Sequence, residues 1–297
     1  MSGSSDWVAE AKCDSPETAV EHDLRFVGKV IVITGAGGQF GREGCVYFAK
    51  RGARIAALDK NQEGLQGTFE ALNQSLDDGS FDFKAFICDI TSAGDTRTVT
   101  DAIVERFCRI DLLWNNAGYQ GKIATLLEYD PEDFRMVMDI NVTGAFIVLQ
   151  AVAKVMSKRD PDATCCVVNT ASVAGMRGTP AMAAYASSKA AIFSLTSVAA
   201  KDLAPFKIRV NAVSPALIGP GFMWDRQNEL HAECNSPYFA NDPETVAQNK
   251  INSVPMKRLG SVEEVLKVVA FLMSDESSYM TGSNLVVDGG MASGVRA

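Results

Sequence analysis

"KVIVITGAGGQFGREGCVYFAKRG", residues 29–52, decides how this chain folds. It opens on an apolar, β-branched run, KVIVIT (29–34), and crosses the glycine-dense TGAGGQFG (34–41). It then enters FGREGCVYFAKRG (40–52), where apolar residues recur at helical spacing before Gly52, a plausible C-cap. In a strand–turn–helix unit of this kind the turn lies at the carboxyl edge of a sheet. The helix N-terminus there offers free N–H groups and a partial positive charge. Glycines let a pyrophosphate reach that backbone without meeting a Cβ. A plain tight turn uses the same residues, so the stretch needs support from elsewhere. Its spacing departs from G-x-G-x-x-G, because Phe40 stands where the third glycine belongs; the fit is T-G-x-x-x-x-x-G, ending at Gly41.

Strand and helix patterns keep alternating beyond Gly52. Strands are read at 54–59, 83–89, 111–118, 164–172, 207–215 and 284–290. Helices are read at 61–78, 92–108, 131–157, 182–204 and 261–274, and 216–260 reads as one irregular segment. Seven apolar strands and six helices predict an α/β fold: one doubly wound, seven-stranded parallel sheet with helices on both faces. A single Rossmann-type domain is expected over 26–297, preceded by a flexible extension at 1–25. A long loop in a compact domain is usually functional, so 216–260 is expected to be a lid.

The 297 residues are 47% apolar and carry a net charge of -8. No run of basic residues invites nucleic acid, and no apolar run reaches 18 residues. The N-terminus lacks the apolar core of a signal peptide and the Arg-rich bias of a transit peptide. Seven cysteines without a C-x-x-C pair suggest reduced thiols and a cytoplasmic home. The two histidines, His22 and His231, have no neighbour at zinc-ligand spacing, so no metal is expected.

Asp59 closes the second strand, some 20 residues past the glycine loop, where a ribose-binding carboxylate belongs. It accepts hydrogen bonds from a free 2′-hydroxyl but repels a 2′-phosphate, by roughly 4 kcal/mol at contact and an effective dielectric of 20. The expected cofactor is therefore NAD rather than NADP, with Arg42 and Lys60 as the nearby cations.

Tyr185 and Lys189 lie four apart on a predicted helix and share one face. Ser172 ends the strand before it, at the same sheet edge as the glycine loop. A free phenol titrates near pH 10, so it is a poor base at neutrality. A neighbouring ammonium, and the positive end of a nicotinamide, favour the phenolate. These positions predict that Tyr185 exchanges a proton with a substrate oxygen that Ser172 hydrogen-bonds, while Lys189 lowers the tyrosine pKa and holds the nicotinamide ribose.

Together these residues resemble the short-chain dehydrogenase/reductase family over about 26–291. The similar motifs are TGAGGQFG, Asp59, CDI (88–90), NNAG (115–118), INV (140–142), Ser172, YASSK (185–189) and VNAVSP (210–215). The resemblance implies that Gly35, Gln39, Phe40 and Gly41 hold the cofactor phosphates. It further implies that Asp89 and Ile90 meet the adenine, and that Asn116, Ala117 and Gly118 line the adenosine ribose. Asn141 would hold a water that relays protons from Lys189, and Ile218 would lie against the nicotinamide amide. Two positions depart from the pattern: Gln39 replaces the family's middle glycine, and Ala216 follows Pro215 where a glycine is usual.

The expected substrate pocket is walled by Tyr119, Gln120, Val173, Met182, Ala216, Met223 and Trp224. NNAGYQG, GPGFMWDRQNEL, YFANDPETVAQ and SVPMKRLG resemble the xylitol and polyol dehydrogenases of the family. That likeness implies NAD-dependent oxidation of a secondary alcohol, such as a sugar alcohol. The alternatives are a 3-oxoacyl or other carbonyl reductase, and a non-catalytic NAD(H) sensor. The family likeness also implies a homodimer or homotetramer joined through the two long central helices.

Overall fold

Lys29 is followed by β1 (Val30–Thr34), whose five residues are all buried. The remaining strands of this computed structural model, which describes residues 24–76, 81–160 and 163–293, are β2 (Arg54–Asp59), β3 (Phe83–Ile87), β4 (Leu112–Asn115), β5 (Cys165–Thr170), β6 (Ile208–Pro215) and β7 (Asn284–Val287). They form one sheet in the order β3-β2-β1-β4-β5-β6-β7, every pair parallel. The strand order reverses between β1 and β4. Their helices leave on opposite sides there, and a crevice opens at the carboxyl ends.

Continuous apolar strands are what a sheet buried on both faces requires. Ile31, Ile33, Leu112 and Trp114 pack on one side with Phe48, Leu72 and Leu266, which come from α1 (Gln39–Ala49), α2 (Gln62–Ser75) and a C-terminal helix, Val262–Met273. Their neighbours Val30, Val32 and Leu113 face the other way, towards Ile103, Val152 and Ala199. Those three stand on α3 (Ala93–Phe107) and on two helices, Ala145–Met156 and Ala183–Leu203, of the second layer. The period-two alternation of strand side chains thus divides one sequence run between two cores. Under the sheet, the fully buried Asp111 accepts from the Val30 N–H at 2.8 Å and from Arg109 and Arg159. Burial pushes its carboxyl up, but Arg109, the Val30 N–H and Arg159 outweigh that and hold it below the usual range.

The single helix expected at 131–157 is three pieces: α4 (Pro131–Met138), a π-helical stretch at Asp139–Gly144, and α5 (Ala145–Met156). The widened turn contains Asn141, 1% exposed, whose amide donates to Tyr119 O and to Ser188 Oγ. Its Oδ1 accepts from the Tyr119 N–H at 2.7 Å. A π-bulge adds one residue to a turn, and here that turn carries a side chain clamped to another loop. By length and composition Pro131–Met156 could cross a membrane. Val148, Leu149, Val152 and Met156 are instead buried against the sheet.

The irregular segment expected at 216–260 contains two helices. After α6 (Val173–Arg177) and α7 (Ala183–Leu203) come α8 (Phe222–Glu233) and α9 (Pro243–Ser253), followed by α10 (Val262–Met273). Among the described residues the six expected helices are therefore ten. The two helices escape periodicity because they face each other partly through polar side chains, Asn228 with Lys250, so no clean apolar stripe marks them. The segment is closed at its base by a bridge between Ile218 and Gly260, with Gly219 N donating to Gly260 O and Gly260 N to Leu217 O, both at 3.0 Å. Apart from Leu24 and Arg25, the extension expected at 1–25 lies outside the described residues.

Candidate active site

The glycine loop joins β1 to α1, whose N-cap, Gly38, offers no capping side chain. Gly35 sits at φ +68°, and a Cβ there would meet Ala117 Cα at 2.9 Å. A Cβ on Gly41 would meet Gly35 O at 2.1 Å. Both glycines are therefore required by close backbone packing as well as by any anion above them. The neighbouring loop is stitched to this one: Thr34 Oγ1 accepts from the N–H groups of Asn116 and Ala117, each at 2.9 Å.

Asp59 reaches over from the end of β2. Its Oδ2 accepts from Gly37 N and its Oδ1 from Asn61 N, both at 2.9 Å. The carboxylate thus faces the loop, while Arg42 donates to Gly37 O at 3.2 Å. Uncapped helix N–H groups, glycines without room for a Cβ and a strand-end carboxylate are the groups a dinucleotide's pyrophosphate and ribose need, so the residues present fit such a cofactor.

Ser172 ends the loop after β5 as N-cap of α6, accepting from Ala174 N and donating to Pro215 O at 3.4 Å. Tyr185 and Lys189 project from α7. Lys189 Nζ donates to Thr170 O at 2.8 Å and lies 5.7 Å from the centroid of the Tyr185 ring. The phenolate expected from the lysine's charge is not what this geometry favours. Burial pushes the Tyr185 phenol above its ordinary pKa, and only the hydrogen bond with Ser172 opposes it. Burial also pulls the Lys189 ammonium down to about 8.

A cleft of about 350 Å³ brings together Gly35, Gln39, Phe40, Gly41, Asp59, Asn116, Ala117, Gly118, Ser172, Tyr185, Lys189 and Ile218. Three expected site residues lie outside its lining. Asn141 stands behind Gly118, where a Cβ would be 3.4 Å from both Asn141 Oδ1 and Lys189 Nζ. Asp89 accepts from the Thr91 hydroxyl and N–H, which hold its carboxyl below the usual range. Ile90 is 8% exposed and packs near Gly144. The Gln39 side chain, in the family's glycine position, reaches Glu43 and lies against Gly221 at the start of α8.

A second cavity, of about 360 Å³, shares Ser172 and Tyr185 with the first and includes Val173, Met182 and Ala216 as expected. Gln120, Met223 and Trp224 line the first cleft instead, and Tyr119 lines neither. Gln227, which lines both, donates to Gln120 Oε1 at 3.2 Å. The second cavity also contains His231 and Lys250, which sequence reasoning passed over. A signal was present: Trp224, Asn228 and His231 recur at i, i+4, i+7, a helical face.

Comparison with known proteins agrees with this geometry. Residues 37–292 match the family model described as enoyl-(acyl carrier protein) reductase. The crystal structure of an NAD+-bound xylitol dehydrogenase superposes with a TM-score of 0.86 at 48% identity, covering 90% of this chain and 100% of that one. Levodione reductase of Leifsonia aquatica is 32% identical over 90% of this chain and 96% of its own. The 3-oxoacyl-[acyl-carrier-protein] reductase of Thermotoga maritima is 34% identical over 90% and 99%. A seven-stranded parallel sheet with its glycine loop and Ser–Tyr–Lys cleft, together with these matches, makes this chain an oxidoreductase that belongs to the short-chain dehydrogenase/reductase family.

Proposed function

We propose that the protein interconverts a secondary alcohol and a ketone with NAD, acting on a sugar alcohol such as xylitol. The observation that carries this reading is the meeting of Ser172, Tyr185 and Lys189 in the cleft that also contains the glycine loop and Asp59. When bound there, the nicotinamide supplies the acceptor for the hydride that leaves the carbinol carbon. Tyr185 takes the hydroxyl proton as the ketone forms and returns it in reduction. Ser172 donates a hydrogen bond to the same oxygen. Lys189, charged below its lowered pKa, holds the ribose, while the Ser172 hydrogen bond works against the burial that raises the phenol. Asn141 positions the Tyr119 loop and relays protons from Lys189 through water. Asp59 accepts the ribose hydroxyls and disfavours a 2′-phosphate. Gly35, Gln39, Phe40 and Gly41 bind the phosphates, Asp89 and Ile90 the adenine, Asn116 to Gly118 the adenosine ribose, and Ile218 the nicotinamide amide.

The likeness to a xylitol dehydrogenase and the Gln120–Gln227 pair beside the reacting groups support a hydroxylated substrate. Residues 216–260 act as the lid. A second reading, reduction of a 3-oxoacyl substrate, is favoured by the relative from Thermotoga maritima and by exposed Phe222 and Met223 at the lid's start. We take the protein to be a homodimer or homotetramer, supported by exposed Phe146, Val198 and Phe206 on α5 and around α7. A cytoplasmic location is supported by six free cysteines among the described residues. Purified protein assayed by NADH absorbance with NAD or NADP, against polyols, ketones and acyl thioesters, tests the reading. Oxidation of polyols with NAD is expected. Preference for NADP, or turnover of acyl thioesters alone, overturns it.

A further inference from the structure

One group of buried polar side chains has no part in the chemistry above. Asn228 and His231 stand on α8, 3% and 1% exposed, and Lys250 on α9. Lys250 Nζ donates to Asn228 Oδ1 at 2.7 Å, lies 3.1 Å from His231 Nδ1, and sits 5.4 Å from the centroid of the Trp224 ring. His231 Nδ1 is 2.7 Å from the carbonyl of Gln227. Of the two groups beside Nδ1, the Gln227 carbonyl at 2.7 Å is nearer than the Lys250 ammonium at 3.1 Å, and two lone pairs would repel at the shorter distance; we therefore assign the proton to Nδ1, which makes Nε2 an acceptor. That Nε2 is buried and has no hydrogen-bond partner. An orphaned buried acceptor costs about 1–3 kcal/mol, which a fold does not need to carry.

Joining α8 to α9 explains the Lys250–Asn228 bond but neither the orphaned nitrogen nor the position of the group. His231 and Lys250 both line the second cavity, whose walls include Ser172 and Tyr185. No Asp or Glu lines that cavity among the described residues, so the ammonium faces it without a carboxylate. The paired functions are complementary: Lys250 donates and His231 Nε2 accepts. A hydroxyl satisfies both at once, its oxygen taking the lysine proton and its hydrogen going to the imidazole. A carboxylate would satisfy Lys250 while setting its lone pairs against Nε2. An alkyl group would leave both unpaired.

We propose that Lys250 and His231 form a distal subsite that selects a substrate hydroxyl remote from the reacting carbon, with Asn228 positioning the lysine. The subsite rests on the reading of the cleft as a polyol dehydrogenase and names the residues that set its specificity.

The test compares the KM and kcat of wild type, Lys250→Met and Lys250→Arg for xylitol, butane-2,3-diol and gluconate, with the Kd for NAD as control. Lys250→Met is expected to raise KM for xylitol ~10-fold or more, the effect of losing a hydrogen bond to a charged group. Its kcat, its KM for butane-2,3-diol and its NAD affinity stay near wild type, and Lys250→Arg recovers much of the loss. Equal effects on xylitol and butane-2,3-diol, no effect on either, or wild-type preference for gluconate overturns the subsite alone. Wild-type enzyme inert towards every polyol overturns the proposed function, and the subsite with it.

Discussion

Residues 30–59 and residues 216–260 both border the reacting groups, and different forces hold them. In the first, β1 is fully buried, and the loop after it is fastened by the Gly37 N–H to Asp59, while Thr34 Oγ1 receives the N–H groups of Asn116 and Ala117. In the second, two hydrogen bonds at Gly260 close the base, a Lys250–Asn228 bond joins the helices, and Phe222 is 72% exposed. Apolar burial on both faces of a sheet leaves the cofactor side little freedom to vary. The substrate side can exchange side chains without disturbing that frame. Relatives sharing the frame carry names as different as xylitol dehydrogenase, levodione reductase and 3-oxoacyl reductase, as this division of labour would allow.

The comparison breaks most sharply at Tyr185. On the proposed mechanism, Tyr185→Phe lowers kcat by ~10²–10⁴ while NAD affinity, measured by titration, stays nearly unchanged. Parallel loss of both would mean that the phenol supports the cofactor side rather than the chemistry.

The stability of the sheet side is tested at Asp111. Asp111→Ala leaves Arg159 with a lost partner in the interior and is expected to cost about 3–5 kcal/mol in denaturant unfolding. Because the folded carboxyl titrates below its unfolded value, its contribution is present above the unfolded pKa and is lost as pH falls through the folded one. Wild type and variant should therefore converge in acid. A constant gap between them would assign the effect to packing.

Asp59→Ala sharpens the cofactor side by itself. The ratio of kcat/KM for NAD to that for NADP should fall ~10-fold or more, since a solvent-screened repulsion of a few kcal/mol is removed. An unchanged ratio would show that the carboxylate serves only to hold Gly37.

The last expected effect is in pH profiles. With the phenol raised by burial, oxidation, which needs the phenolate, should climb from neutral to alkaline pH by up to ~10-fold per unit. Reduction, which needs the phenol, should not climb. Identical profiles in both directions would place the titration elsewhere.

The legible parts of this protein are those where local pattern and tertiary role coincide. VIVIT (30–34) is β-branched because it is buried on both faces, and Gly35 and Gly41 stand where no Cβ fits, so strand, loop and parallel fold could be read in order. Tyr185 and Lys189 could be paired because helical geometry alone puts i and i+4 on one face. At α9, Asp242 caps the helix through Thr245 N with Pro243 following, so even this helix start was written in local chemistry. What no local pattern contained was the use of space between elements. The π-helical turn at Asn141 depends on Tyr119, which lies 22 positions away in the chain. The raised phenol of Tyr185 depends on burial, which is a property of the packed cleft and not of any spacing. His231 and Lys250, 19 residues apart, meet only once α8 and α9 fold against each other. The chain's own letters determine which segments become strands, helices and glycine turns, because those preferences act over a few residues. Only the tertiary structure decides which polar groups lose water and meet, because desolvation and hydrogen-bond partnership are set by atoms distant in sequence.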